Sequence, residues 1–358
     1  MNTIYFTPGP SHLFSTYQKH LIEAMNLQLG SINHRSDAFR KIYRHTDEQL
    51  RLLMDIPSTH AIFFASSATE IWEKIMLNCV DQYSFHLTNG AFSNKFYDFA
   101  NALKKSPARF AVEEGQGFNM NDILIPEETE LICTTQNETS TGVQIPVDDL
   151  MKLKKKFPSK LLCTDLVSVA PYSAIDHTMM DCSFFSVQKA FGMPPGLGVW
   201  IVNENCLAKA DQLKNKGLNI GAHNTLESYF KNYKTFETPS TPNVIAIYIL
   251  GKIAEDMNNL GLANIRKDLE VKADMIYDFA KQHKDFEPLV NQEAHRSKTV
   301  AVLNTVQPSA EIITAVKQHH MAVGSGYGKN KASQIRIANF PATSVQQMEE
   351  LLDVLNTL

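Results

Sequence analysis

Two residues in this chain have the types and positions that reaction chemistry needs. Asp165 closes the apolar run "KLLCTD" (160–165), and Lys189 follows the run "CSFFSV" (182–187). Each stands where a buried strand would end and a turn begin. In a parallel α/β sheet, ligands bind in the crevice outside the carboxyl ends of the strands, so an acid and a lysine at two such ends can face one site. The plain alternative is a structural ion pair. The chain after Lys189, "AFGMPPGLG", carries Gly192, Pro194, Pro195 and Gly196, which keep a helix from forming across that crevice.

A third stretch, "ASSATEIW" (65–72), takes a strand through small hydroxyl residues directly into a helix. Free N–H groups at a helix start, with hydroxyls from Ser66, Ser67 or Thr69, can cradle an anion. Alone, the stretch reads equally as a simple N-cap. Taken together, the three features fit one ligand. Pyridoxal 5'-phosphate needs a lysine for a Schiff base, an acid at its ring nitrogen and a cradle for its phosphate.

The elements that would position these groups alternate along the chain. Short runs apolar on both faces, "AIFFA" (61–65), "YSFHL" (83–87), "ELICTT" (130–135) and "GVWIV" (198–202), join the two already named. Amphipathic helical patterns such as "EIWEKIMLN" and "SNKFYDFANAL" lie between them. The alternation predicts an α/β fold with a mostly parallel sheet covered by helices on both faces. After "TPSTPN" (238–243) the pattern changes. Two long helical stretches follow, then strands at 298–304 and 334–340 and a last helix near 344–357. We expect a large domain over 15–255 and a smaller α+β domain over 256–358 that also takes in residues 1–14.

Composition narrows the function classes. A net charge of −4 across 358 residues gives no basic footprint for nucleic acid. No apolar run reaches the length of a membrane span, and no signal peptide is apparent. The five cysteines, Cys79, Cys133, Cys163, Cys182 and Cys206, are odd in number and sit mostly inside apolar stretches. They read as reduced core residues of a cytoplasmic protein, with no metal site.

The motifs "SVQKAFGMPPGLGVW", "LLCTDLVSVAP", "TTQNETSTGVQIP" and "SINHRSDAFRKIY", with "YFTPGPSHL" and "FETPSTPN", span nearly the whole chain. Together they resemble the class V, fold-type I pyridoxal-phosphate-dependent aminotransferases, most closely the phosphoserine aminotransferase branch. The resemblance implies that Lys189 bonds to the cofactor and moves the reacting proton, while Asp165 keeps the pyridine nitrogen protonated. It implies that Gln188 and Thr139 hydrogen-bond the cofactor, that Ser67, Ala68 and Thr69 meet its phosphate, and that Phe92 stacks on its ring. Glu237 and Thr238 match a segment that reaches the phosphate of a neighbouring subunit, so a homodimer with shared sites is expected. Arg336 would clamp the substrate α-carboxylate, a task suited to a guanidinium fork. His34 and Arg35 would receive the substrate's distal anionic group.

Some positions depart from the branch. Ala68–Thr69 stand where phosphoserine aminotransferases of the better-known bacterial type carry Gly-Arg, Phe92 replaces a tryptophan, and Pro8 replaces a serine. The "SATE" turn and "GSGYGKNKASQIRI" look instead like alanine–glyoxylate and serine–glyoxylate aminotransferases. The expected reaction is amino transfer between glutamate and a 2-oxo acid, with 3-phosphohydroxypyruvate as the leading acceptor and glyoxylate or pyruvate as alternatives. A class V lyase such as a cysteine desulfurase would need a cysteine on a C-terminal loop, and none lies beyond Cys206. A non-catalytic relic would have lost Lys189 or Asp165.

Overall fold

The computed structural model describes residues 2–358. A seven-stranded sheet forms the frame of the large domain. Its spatial order is β2 (His60–Ala65), β10 (Gly198–Asn203), β9 (Cys182–Ser186), β8 (Leu161–Asp165), β5 (Leu131–Thr135), β3 (Ser84–Thr88) and β4 (Ala108–Ala111). β10 alone runs antiparallel, to both β2 and β9; every other pair is parallel. The mostly parallel sheet expected from the apolar runs is therefore present. The unanticipated member is β4, a half-exposed edge strand whose sequence "ARFA" lacks the continuous apolar character of its neighbours.

Residues alternate along each strand between two cores. Ile62, Phe64, Ile132, Leu162, Phe185 and Ile201 join one. Phe63, Leu131, Cys163, Phe184 and Trp200 join the other. Both faces are covered, which is why these strands read as unbroken apolar runs. Burying each such side chain contributes roughly 1.5–3 kcal/mol relative to exposure. All five cysteines are buried and unpaired, and Cys133, Cys163 and Cys182 are register neighbours across β5, β8 and β9.

A small hairpin of β6 (Asn137–Glu138) and β7 (Val143–Gln144) follows β5. The helix Val244–Leu260 begins at Asn243, whose side chain accepts from the Ala246 N–H at 3.0 Å, and turns at Gly261 with φ of +81°. It packs tightly on the helix Asp37–Met54. A Cβ at Gly251 would fall 2.5 Å from Thr46 Oγ1, so only glycine permits this approach. The helix Leu262–Gln282 then leads into a second sheet of order β1 (Ile4–Phe6), β13 (Met321–Ser325), β14 (Gln334–Ala338), β12 (Val300–Thr305) and β11 (Phe286–Pro288). The chain's first strand thus pairs, in parallel, with one of its last. A third core containing Phe6, Ile276, Leu303, Ile335 and Leu351 backs this sheet. No helix among the described residues is long and apolar enough to cross a membrane.

Candidate active site

The carboxyl ends of β2, β5, β8 and β9 open onto a cavity of about 410 Å³. Lys189, three residues beyond β9, is 8% exposed and lines it. Its Nζ donates to the carbonyl of Pro8. The N-terminal segment straps the lysine turn from outside. Ser11 Oγ donates to the Lys189 carbonyl at 2.7 Å, and Phe14 N donates to the Gly192 carbonyl at 2.8 Å. Gly192 has φ of +57°, and a Cβ there would lie 2.5 Å from Phe14 N. Glycine is required at Gly9 for a related reason. With φ of +142°, an added Cβ would sit 2.5 Å from Lys189 Nζ. Burial, reinforced by the positive charge of Arg336, lowers the Lys189 amine to about 8, with Asp165 and Glu138 pulling the other way.

Asp165 ends β8 on the same cavity and is 4% exposed. Its Oδ1 accepts from Val167 N at 2.8 Å. Burial pushes the carboxyl up to about 7. The Val167 N–H, the Trp72 indole and Lys189 oppose the rise, whereas Glu138 adds to it. No ion pair joins Asp165 to Lys189, so the plain structural reading of that pair does not hold.

The strand-to-helix turn after β2 supplies the third wall. Ser67, Ala68 and Thr69 line the cavity at the start of the helix Ala68–Cys79. Ser67 Oγ accepts from Glu70 N at 3.1 Å, so the serine does act as an N-cap. That bond uses only a lone pair, so the Ser67 O–H and the hydroxyl of exposed Thr69 both remain able to donate to an anion. Behind this turn Gly198 opens β10, and a Cβ there would meet the Ser67 carbonyl carbon at 2.6 Å and Ala68 N at 2.8 Å. Phe92, in the first turn of the helix Ala91–Ala102, and Thr139 face the cavity from beyond β3 and β5. Gln188 completes this wall, and its buried Oε1 has no hydrogen-bond partner.

Arg336 sits beside the cavity on β14, which is an interior strand of its sheet. Its Nε donates to Ser325 O at 2.8 Å, Nη1 reaches Thr139 O at 3.4 Å, and the guanidinium lies 5.4 Å from the Tyr327 ring centre. No carboxylate is within ion-pair distance among the described residues, so neither an edge position nor a salt bridge accounts for it. His34, Arg35, Glu237 and Thr238 do not line the cavity. Arg35 Nη1 meets Glu237 Oε2 at 2.6 Å and Asn232 Oδ1 at 2.8 Å, and Arg40 closes on the other Glu237 oxygen at 2.6 Å. Thr238 is buried against Ser240, its Oγ1 donating to that carbonyl at 2.7 Å.

Sequence reasoning passed over several groups here. Gly9 lies in the quoted "YFTPGPSHL" without a role, Trp72 reads as a core aromatic, and Tyr327 follows two glycines in a loop. Glu138 carried one available signal, an acidic residue in the middle of the uncharged "TTQNETSTG". Among the described residues no group of three or more His, Cys, Asp or Glu could hold a metal ion.

A buried lysine and a buried acid thus stand at neighbouring strand ends of an α/β sheet, with a strand-to-helix turn on the same cavity. The class-V aminotransferase family model matches residues 7–338. The chain belongs to this family and is a transaminase. It is 24% identical to a phosphoserine aminotransferase of Rhodococcus opacus (strain B4), covering 97% of this chain and 92% of that one. The structure superposes on a phosphoserine aminotransferase from Cytophaga hutchinsonii with a TM-score of 0.98 at 42% identity, covering 100% and 99% of the two chains. A PLP-bound phosphoserine aminotransferase from Trichomonas vaginalis shares the fold, with a TM-score of 0.77 at 17% identity and coverage of 99% and 100%.

Proposed function

We propose that the chain uses pyridoxal 5'-phosphate to move an amino group from glutamate to 3-phosphohydroxypyruvate, giving O-phosphoserine. The observation that carries the cofactor is the convergence of Lys189, Asp165 and the Ser67–Thr69 turn on one cavity. The substrate rests on the 42% identity to a phosphoserine aminotransferase along the whole chain. The residues present fit the group. The orphaned Gln188 Oε1 needs a donor, Asp165 needs a cation to offset its burial, and the turn offers N–H groups to a phosphate.

When bound, pyridoxal phosphate supplies an aldehyde that takes up the amine and a ring that accepts the electrons released at the substrate's α carbon. The chain's own residues do the rest. Lys189, lowered to about 8, presents far more neutral amine near pH 7.5 than a solvated lysine, and its Nζ takes and returns the α proton. Asp165 would meet the ring nitrogen, and a positive charge there would hold the carboxylate ionised. Phe92 would stack on the ring, and Thr139 and Gln188 would hydrogen-bond the cofactor. Arg336 receives the α-carboxylate through the guanidinium edge not spent on Ser325 O.

His34, Arg35, Glu237 and Thr238 serve the neighbouring subunit's cavity in a cytoplasmic homodimer, Arg35 taking the substrate's distal anion. Their separation from this chain's own cavity supports that assignment, and five buried, unpaired thiols suit a reducing compartment. Thr69, where an arginine would strengthen phosphate binding, favours glyoxylate or pyruvate as the second reading. Absorbance-monitored half-reactions with each amino acid and 2-oxo acid decide between them. A preference for phosphohydroxypyruvate and phosphoserine is expected; equal or better turnover of pyruvate or glyoxylate overturns the phosphate-bearing substrate. A colourless protein that pyridoxal phosphate cannot reconstitute overturns the cofactor.

A further inference from the structure

Glu138 is fully buried, and among the described residues no cation lies within ion-pair distance of it. Its Oε2 accepts from Phe92 N at 3.1 Å, Ser93 N at 2.8 Å and Ser93 Oγ at 2.9 Å. Its Oε1 accepts from Ser140 N at 3.1 Å and Ser140 Oγ at 2.7 Å, with a longer approach from Phe92 N at 3.3 Å. Three of these donors are backbone N–H groups, which can only donate. The site is built for an acceptor with both oxygens free of protons. Gly90 makes the room, since a Cβ there would lie 2.6 Å from Ser140 Oγ and 2.7 Å from Glu138 Cδ.

The donors belong to two segments that each deliver a cavity residue. Phe92 N and Ser93 N open the helix Ala91–Ala102, whose unsatisfied N-terminal amides favour a negative charge. Ser140 follows Thr139 in the β6–β7 turn. One carboxylate therefore ties the Phe92 helix to the Thr139 turn across the end of the sheet. The Phe92 ring that it anchors lies 5.9 Å from Lys189 Nζ. Its charge also acts on the reacting groups, raising the Lys189 amine, the Asp165 carboxyl and the Arg336 guanidinium.

We propose that Glu138 is a positioning residue of this site, a buried anchor that holds Phe92 and Thr139 against the cofactor while its charge stabilises the cation at the Lys189 nitrogen. This rests on the pyridoxal-phosphate reading of the cavity. Nothing in the reaction passes through Glu138 itself.

Glu138→Gln keeps the shape, removes the charge and turns an amide NH₂ toward backbone donors. The pyridoxal-phosphate-loaded protein is titrated by visible absorbance, and cofactor release is timed after dilution into a trapping carbonyl reagent. Loss of the negative neighbour lowers the pH midpoint of the colour change by about 0.5–1 unit, less than the roughly 1–3 units of a directly contacting charge. Release of the cofactor accelerates about tenfold. Glu138→Asp restores the charge without the reach, so its midpoint returns toward wild type while release stays fast. A Ser93→Ala/Ser140→Ala double variant, which keeps the carboxylate and removes two hydroxyl donors, accelerates release with the midpoint unmoved. It also serves as the test should Glu138→Gln fail to fold. A folded Glu138→Gln protein with an unchanged midpoint and release within twofold of wild type overturns the proposal. So does wild-type release from the double variant. Failure of wild-type protein to take up pyridoxal phosphate defeats the underlying reading instead, and the wild-type control separates the two.

Discussion

The two halves of the site are built in different ways. Around Lys189 the main groups come from the end of one sheet: Asp165 closes β8, Lys189 follows β9, and Ser67–Thr69 follow β2, all on one cavity that the N-terminal strap closes with Gly9 and Pro10. Arg35, Glu237 and Thr238 do not line that cavity, and their polar atoms are engaged locally, Arg35 with Glu237 and Asn232. The first half is set by sheet topology within one chain. The second half has its own ion-pair cluster and, in the reading proposed above, works on a second copy.

Lys189→Ala breaks the first half most severely. Amino transfer falls by at least about 10³-fold, the scale of a lost positioned acid–base, and the borohydride-sensitive visible band disappears. Retained transamination would remove Lys189 from the reaction. Asp165→Asn comes next, with an expected loss of about 10²–10³-fold from a missing preorganised charge. It also carries a stability signature. The folded Asp165 carboxyl titrates near 7, against about 3.9 in an unfolded chain. The cofactor-free folded state therefore binds a proton that the unfolded state has released between about pH 4 and 7. Stability falls as pH rises through that window, by on the order of 4 kcal/mol, and Asp165→Asn flattens the slope. Denaturant midpoints of cofactor-free protein at pH 5 and pH 8 measure it; equal slopes in the two proteins would refute this account of Asp165.

Gly9→Ala probes the strap over the lysine. A positive φ and a Cβ on top of Lys189 Nζ together cost about 1–3 kcal/mol, read as a lower melting temperature and slower cofactor uptake. Unchanged melting and uptake would show that the strap yields freely. Glu237→Gln gives the smallest effect and sharpens the contrast best. Its ion pairs are partly solvated, so stability moves by less than about 1 kcal/mol. KM for a phosphate-bearing substrate rises about tenfold while the Lys189 titration stays in place. A shifted titration would mean that the two halves share one electrostatic unit within the chain.

What was legible in the sequence follows the same division. Strands covered on both faces announce themselves as unbroken apolar runs, so the frame and the strand-end positions of Asp165 and Lys189 could be read directly. The first of the two long helical stretches expected after residue 243 is the helix Val244–Leu260. Strands β1, β11 and β13 are short and partly exposed, and the pairing of β1 with β13 joins distant segments that no local pattern connects. Lys189 has a visible residue type, but its partner Pro8 O is a backbone atom, invisible to any motif. Glu138 stood in a quoted motif, yet only the packing at Gly90 and Ser140 shows what its carboxylate holds.

The place of β1 has a consequence for biosynthesis. Ile4 and Phe6 leave the ribosome long before their partners Met321 and Val323. Until then the large sheet can form while the strand that carries Pro8 and Gly9 toward the lysine has no mate. Pairings of such long sequence separation form late and slowly. The nascent chain thus holds an assembled sheet with an open lysine turn, and the pocket closes only when the final strands arrive.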